Sequence, residues 1–189
     1  MNEIAKRHWG PVATIVGVAV FIVTVIALHL LQPGYDPRSQ LMSELALGQY
    51  GRAMFVAFLG LAVAVFGVQA AIGGYSAAPG YRILLSVAAM LFLTAGIFPL
   101  GDTSAIHIGA ITLAFVLSVL AMYFFPSSAG EASIVAPPIV SWTLAAGVAA
   151  SVALGNLIPI GIAQRLAAGC LLVWLVIISS RLLRRSWRA

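Results

Sequence analysis

The chain has 189 residues, of which 62% are hydrophobic and 8% charged, against about 25% charged in an ordinary soluble domain. That composition excludes a water-soluble globule and reads as one membrane domain over 1–189. The net charge of +5 sits at the edges of apolar runs instead of forming a stripe, which argues against a nucleic-acid partner.

Six apolar runs are each long enough to cross ~30 Å of hydrocarbon at ~1.5 Å per residue. In chain order they cover 9–31, 52–72, 82–100, 105–125, 140–158 and 162–180. Backbone groups in lipid need partners within their own segment, so the runs predict helices. The alternating polarity of a β-barrel strand is missing. The expected fold is an all-α polytopic bundle of six transmembrane helices, with a short interfacial helix in the first outer loop. The first run is read as a retained anchor. It is long for a signal peptide, and no small-residue cleavage site comes before Gln32-Pro33-Gly34.

The loop 32–51 is the longest outer connection. Asp36 before Pro37 is a helix-start signal, a capping side chain followed by a residue with preset φ. Leu41, Met42 and Leu45 recur at helical spacing, and Gly48 offers a stop. A helix over 37–47 is predicted, at the interface or folded partly back into the bundle, with Gln40, Ser43 and Glu44 on its polar side. In the second run Gly60 and Ala64, and Gly67 and Ala71, are spaced for close helix approach, as are Gly147, Ser151 and Gly155 in the fifth. The connections 73–81 and 126–138 are rich in Gly, Ser, Ala and Pro and read as linkers. Each odd-numbered run ends in a Pro/Gly break, at Pro33-Gly34, at Pro99 and Gly101, and at Pro159 and Gly161. Three helical hairpins are one reading, and the ordinary chemistry of turns is the other. Cys170 is the single cysteine, so no intramolecular disulfide forms.

Lys and Arg divide seven to three between the two sides. Lys6, Arg7, Arg82, Arg181, Arg184, Arg185 and Arg188 lie with the termini, and Arg38, Arg52 and Arg165 lie opposite. The expected location is the cell membrane, with both termini cytoplasmic.

Ionisable side chains at membrane depth are costly and usually face an internal cavity. Asp36, Glu44, Asp102, His29 and His107 all fall in the outer half, with Asn156, Gln164 and Arg165 at the same level. A polar pocket open to the outer face is expected. Arg165, Gln164, Asn156, Asp102, His107 and Glu44 are its candidate ligand-binding residues, and Asp102 or Glu44 is the expected ionic partner of Arg165. Each residue has a plainer role open to it: Asp102 as a cap on the fourth helix, His107 as a hydrogen-bonded packing residue, Ser43 and Glu44 as a wet helix face, Arg165 as a snorkelling flank charge.

The stretch from His29 to Gly48, with Tyr35-Asp36-Pro37 and Ser43-Glu44, resembles the first outer loop of a large prokaryotic family known as domain of unknown function 998. Phe98, Pro99, Asp102 and His107 match a Phe-Pro-x-x-Asp turn and following histidine of that family, and Gln164-Arg165 matches a pair opening its last span. The resemblance implies a six-helix integral membrane protein and brings no settled activity.

Three function classes fit these residues. The first, and the favoured one, is binding of a lipid headgroup or small amphiphile in the outer pocket. The second is an intramembrane hydrolase or transferase using Ser43, Glu44, Asp102 and His107. Its zinc-dependent form would be ligated by His29, His107 and Asp102, although no His-x-x-x-His or His-Glu-x-x-His pair is present. The third is b-type haem electron transfer through His29 and His107. The sequence leaves catalysis, cofactor and oligomeric state open.

Overall fold

The computed structural model describes residues 3–187, with the side chains of residues 8–155 and 157–187. Six α-helices carry the fold: α1 (Glu3–Leu31), α2 (Met54–Gly73), α3 (Pro79–Ile97), α4 (Ser104–Ser128), α5 (Pro138–Ala153) and α6 (Ile160–Ser186). Short 3₁₀ turns at Met42–Leu47, Gly51–Ala53, Gly130–Val135 and Leu154–Asn156 fill the connections. No strand occurs among the described residues.

Consecutive helices pack side by side, and α6 returns to α1, so the bundle is a closed ring with α2 reaching across to α6. The connections alternate between two ends. At one end His8 of α1 meets Trp187, and Glu131 accepts an ion pair from Arg185 at 3.7 Å. This is the termini end. At the other, the loop between α1 and α2 lies on the start of α6, and this is the loop end.

Among the described residues five stretches are long and apolar enough to cross a membrane: His8–Leu31, Gly51–Gly73, Pro79–Ile97, Ser104–Ser128 and Ile160–Ser186. The expectation of six is met only in part. The fifth apolar run extends to residue 158 in sequence, but its helix stops at Ala153, a length of about 24 Å. Pro159 disfavours helix at Ile158 and Gly155 weakens the turn before it, so the chain leaves through a 3₁₀ turn. A similar effect trims α3, which ends at Ile97 because Phe98 precedes Pro99 and takes φ −108°, ψ 81°.

The short helix expected over 37–47 does not form as one element; only its second half is helical, as a 3₁₀ turn over Met42–Leu47. Asp36 does act as a local cap: its carboxylate accepts from Arg38 N at 3.0 Å and Ser39 Oγ at 2.5 Å. The turn then breaks at Leu41, which is extended at φ −67°, ψ 148°. A 3₁₀ turn restarts at Met42, with the Glu44 carboxylate accepting from Leu41 N at 2.8 Å. Met42, Ser43 and Leu45 are buried, so this segment plugs into the bundle.

The tightest helix contact is α1 against α2. A Cβ on Gly67 would lie 2.7 Å from Gly10 O and one on Gly10 2.7 Å from Ala71 N, and one on Gly17 would collide with Gly60 O. This backbone-to-backbone approach allows Thr14 Oγ1 to donate to Ala64 O at 3.0 Å. The packing face expected on α2 is therefore used. On α5 Gly147 meets Cys170 closely, whereas nothing stands within 4 Å of a Cβ on Gly155.

Candidate functional site

Arg165 is the hub of the loop end. It stands one turn into α6, four residues after Gly161. A Cβ on Gly161 would sit 2.5 Å from Gln40 O and Pro37 O and 2.6 Å from Arg38 O. The missing side chain lets the α1–α2 loop lie directly on the first turn of α6. Arg165 then reaches over it. Nη1 donates to Gly161 O at 2.8 Å and Gln40 O at 3.2 Å. Nη2 donates to Tyr35 Oη at 2.6 Å and His29 Nε2 at 2.9 Å. All four terminal N–H groups of the guanidinium are thereby engaged.

The network assigns proton positions. His29 Nε2 faces a donor and must be an acceptor, so the proton sits on Nδ1, which donates to Val25 O at 2.6 Å. His29 is the neutral Nδ1–H tautomer. Tyr35 accepts from Arg165 and donates onward to Leu41 O at 2.8 Å. Burial pushes the Tyr35 hydroxyl above its ordinary pKa, opposed by the Arg165 guanidinium beside it. The hydrogen bonds from Ser39 and from Arg38 N hold the Asp36 carboxyl below its ordinary value. Gln164 completes the attachment, its Oε1 accepting from Met42 N at 2.6 Å.

The expected ion pair is absent: among the described residues no carboxylate lies within 4 Å of Arg165. Its charge is met by two carbonyls, a phenol and an imidazole instead. Glu44 is spent on Leu41 N and on Gln40 Nε2, at 3.3 Å. Asp102 is exposed, and α4 begins without a side-chain cap. Its neighbours Thr103 and Ser104 bond to Pro99 O and Gly101 O.

His107 belongs to a different place. It is 1% exposed, and its Nδ1 lies 2.8 Å from Ala95 O and 3.1 Å from Phe98 O. These are end carbonyls of α3 that lack helical partners, so His107 caps α3 from α4. Its ring meets Phe58 edge-on at 5.4 Å, and Nε2 is buried without a partner among the described residues. Ser43 is buried in the loop plug. No hydrogen bond joins Ser43 or Glu44 to Asp102 or His107, and no group of three or more His, Cys, Asp or Glu side chains among the described residues is placed to hold a metal ion. The side chain of Asn156 lies outside the described residues.

The loop end also holds a cavity that the sequence does not announce. It has a volume of about 660 Å³ and lies between α4, α5 and α6. Ile111, Phe115, Val148, Val152 and Ala163 give it apolar walls, with Thr112 and Ser151 among them. Leu41 and Gln164 close it at the loop. The Gln164 amide nitrogen makes no hydrogen bond among the described residues. Tyr35, Gln40 and Gly161 were also missed as site members. The spacing of Gly161 and Arg165, one helical turn apart, is the sequence signal that could have linked them.

A family profile described as "Protein of unknown function (DUF998)" matches residues 15–181. No curated protein and no solved structure matches the chain.

Proposed function

The chain belongs to the DUF998 family, and we propose that it is a membrane protein that binds the hydrocarbon part of a lipid or small amphiphile between α4, α5 and α6. The observation that carries this reading is the cavity of about 660 Å³ with apolar walls and one amide at its loop end. Ligand cavities commonly run ~300–1,000 Å³, mostly apolar with a few placed polar groups. Gln164 uses its oxygen to hold the loop and turns its N–H₂ group to the ligand's polar end. Arg165 acts one step back, fixing the loop that carries Leu41. In the orientation supported by the Lys/Arg asymmetry, the chain lies in the cell membrane with cytoplasmic termini, and the cavity opens in the outer leaflet.

The geometry favours this reading over its rivals. The four residues of the hydrolase reading divide between the loop plug, an exposed turn and the α3 cap. The haem reading needs His29 Nε2, which holds Arg165.

Native mass spectrometry in mild detergent tests the proposal. A lipid or amphiphile adduct is expected on the native chain. Ala149→Phe with Ala153→Phe, at two exposed positions on the cavity wall, should remove the adduct while leaving thermal unfolding nearly unchanged. An adduct that survives the filled cavity, or none after lipid is added, overturns the reading.

A further inference from the structure

The termini end carries a second pocket, of about 340 Å³, lined by Ile134, Val135, Arg181, Arg184 and Arg185. We propose that it binds a phosphate group, as carried by the headgroup of an anionic phospholipid or by free phosphate.

The three arginines recur at i, i+3 and i+4 and so share one face of α6. Two are held in place from the Gly130–Val135 turn. Arg181 Nη1 donates to Val135 O at 2.9 Å, and Arg185 Nη1 donates to Glu131 O at 2.7 Å. Arg185 also lies over the Tyr75 ring at 5.2 Å. The turn is itself anchored, because Glu131 N donates to Tyr75 O at 3.0 Å. Gly130, at φ +59°, packs so close to that carbonyl that a side chain would collide with it. These bonds orient the guanidinium groups and leave further N–H donors on each.

Among the described residues the charge is not balanced locally. The Glu131 carboxylate, 3.7 Å from Arg185, offsets one of the three cations. Arg184 is exposed and has no hydrogen bond or ion pair among the described residues. Guanidinium groups match phosphate oxygens with paired, charge-assisted hydrogen bonds. Basic pockets beside membrane helices suit anionic headgroups. The pocket also has an apolar side, formed by Ile134, 74% exposed, and Val135. A phosphate held by the arginines would place attached acyl chains along that side.

The test compares thermal unfolding of the full chain in neutral detergent with added phosphatidylglycerol, phosphatidylcholine or inorganic phosphate. Phosphatidylglycerol is expected to raise the midpoint more than phosphatidylcholine, with the gain fading as salt screens the charges. Arg181→Gln with Arg184→Gln should weaken the apparent affinity about fivefold per arginine removed. Arg184→Gln alone, which breaks no internal bond, should give a single step and guards against misfolding of the double variant. Arg38→Gln with Arg52→Gln removes the same charge from the loop end and should leave the response intact. A response to inorganic phosphate that needs Arg184 assigns the site to free phosphate. No response to either phosphate source, an undiminished response in both arginine variants, or an equal loss in the loop-end control would overturn the proposal.

Discussion

A cation at the edge of a membrane bundle usually needs a counter-charge, and Arg165 is stabilised without one. Its two carbonyls, Tyr35 and His29 together supply four acceptors. Hydrogen bonds to a charged group contribute ~1.5–3 kcal/mol each, and partial exposure of Arg165 reduces the total. Arg165→Ala should therefore destabilise the detergent-solubilised protein by about 2–4 kcal/mol. Arg165→Lys keeps the charge but has three donors on one nitrogen and cannot reproduce a planar four-donor pattern; it should recover less than half of the loss. Combined with Tyr35→Phe, the Arg165→Ala loss should be smaller than the sum of the single changes, because the two residues share one bond. Thermal unfolding of the singles and the double measures this. Full rescue by lysine, or simple additivity, would return Arg165 to the role of a flank charge. The sequence made Arg165 conspicuous but not its partners. Ion-pair reasoning points to Asp102 or Glu44, whereas the acceptors in use are backbone carbonyls, an imidazole and a loop phenol, whose placement depends on how the loop folds.

The elements differ in how much of them could be read from the sequence, and the difference follows from the solvent. Hydrophobic run length decides where helices lie in lipid, so α1 to α4 and α6 fall where the apolar runs predict. Run length cannot say where a helix stops inside an apolar stretch. Leu154, Leu157 and Ile158 continue the run, yet α5 has ended at Ala153, because local backbone preference at Gly155 and Pro159 outweighs hydropathy there. The α1–α2 loop fails as a predicted helix for the opposite reason. Gln40 O, which would accept a helical bond from Glu44 N, instead accepts from Arg165, and Leu41 is held extended. The small residues of α2 were legible from their four-residue spacing. Their partners Gly10, Thr14 and Gly17 on α1 needed the helix pairing. That contact gives a sharp contrast in outcome. Gly67→Ala puts a methyl group 2.5 Å from Thr14 Oγ1 and 2.7 Å from Gly10 O, and overpacking of this kind costs ~1–3 kcal/mol. Gly109→Ala on α4 meets nothing within 4 Å and gains helix propensity, so its stability should be unchanged or higher by up to ~1 kcal/mol. Thermal midpoints of the two variants test the contact, and equal midpoints would mean that α1 and α2 do not approach so closely in the membrane.

At the scale of the whole molecule the two ends of the ring differ in charge balance. Arg181, Arg184 and Arg185 gather at the termini end, while at the loop end Asp36, Glu44 and Asp102 balance Arg38, Arg52 and Arg165. The six-helix ring brings both ends of the described chain to one side, since His8 meets Trp187. Orientation is therefore a single choice for the entire protein. Either the termini end faces the cytoplasm and the α4–α5–α6 cavity opens in the outer leaflet, or both are reversed. Positive loops are retained on the cytoplasmic side during insertion, so the seven-to-three division of Lys and Arg predicts the first. A fluorescent protein fused after Ala189 should then fold and fluoresce, and alkaline phosphatase fused there should be inactive. The same phosphatase inserted after Gln49, an exposed position in the α1–α2 loop, should be active. The reversed pattern would put the basic pocket outside and the cavity in the inner leaflet. A ligand of that cavity would then enter from the cytoplasmic leaflet, and the arginine pocket would face the outer leaflet. Mixed activity at both sites would contradict a ring of fixed orientation, because no helix in it can invert without leaving its neighbours on both sides.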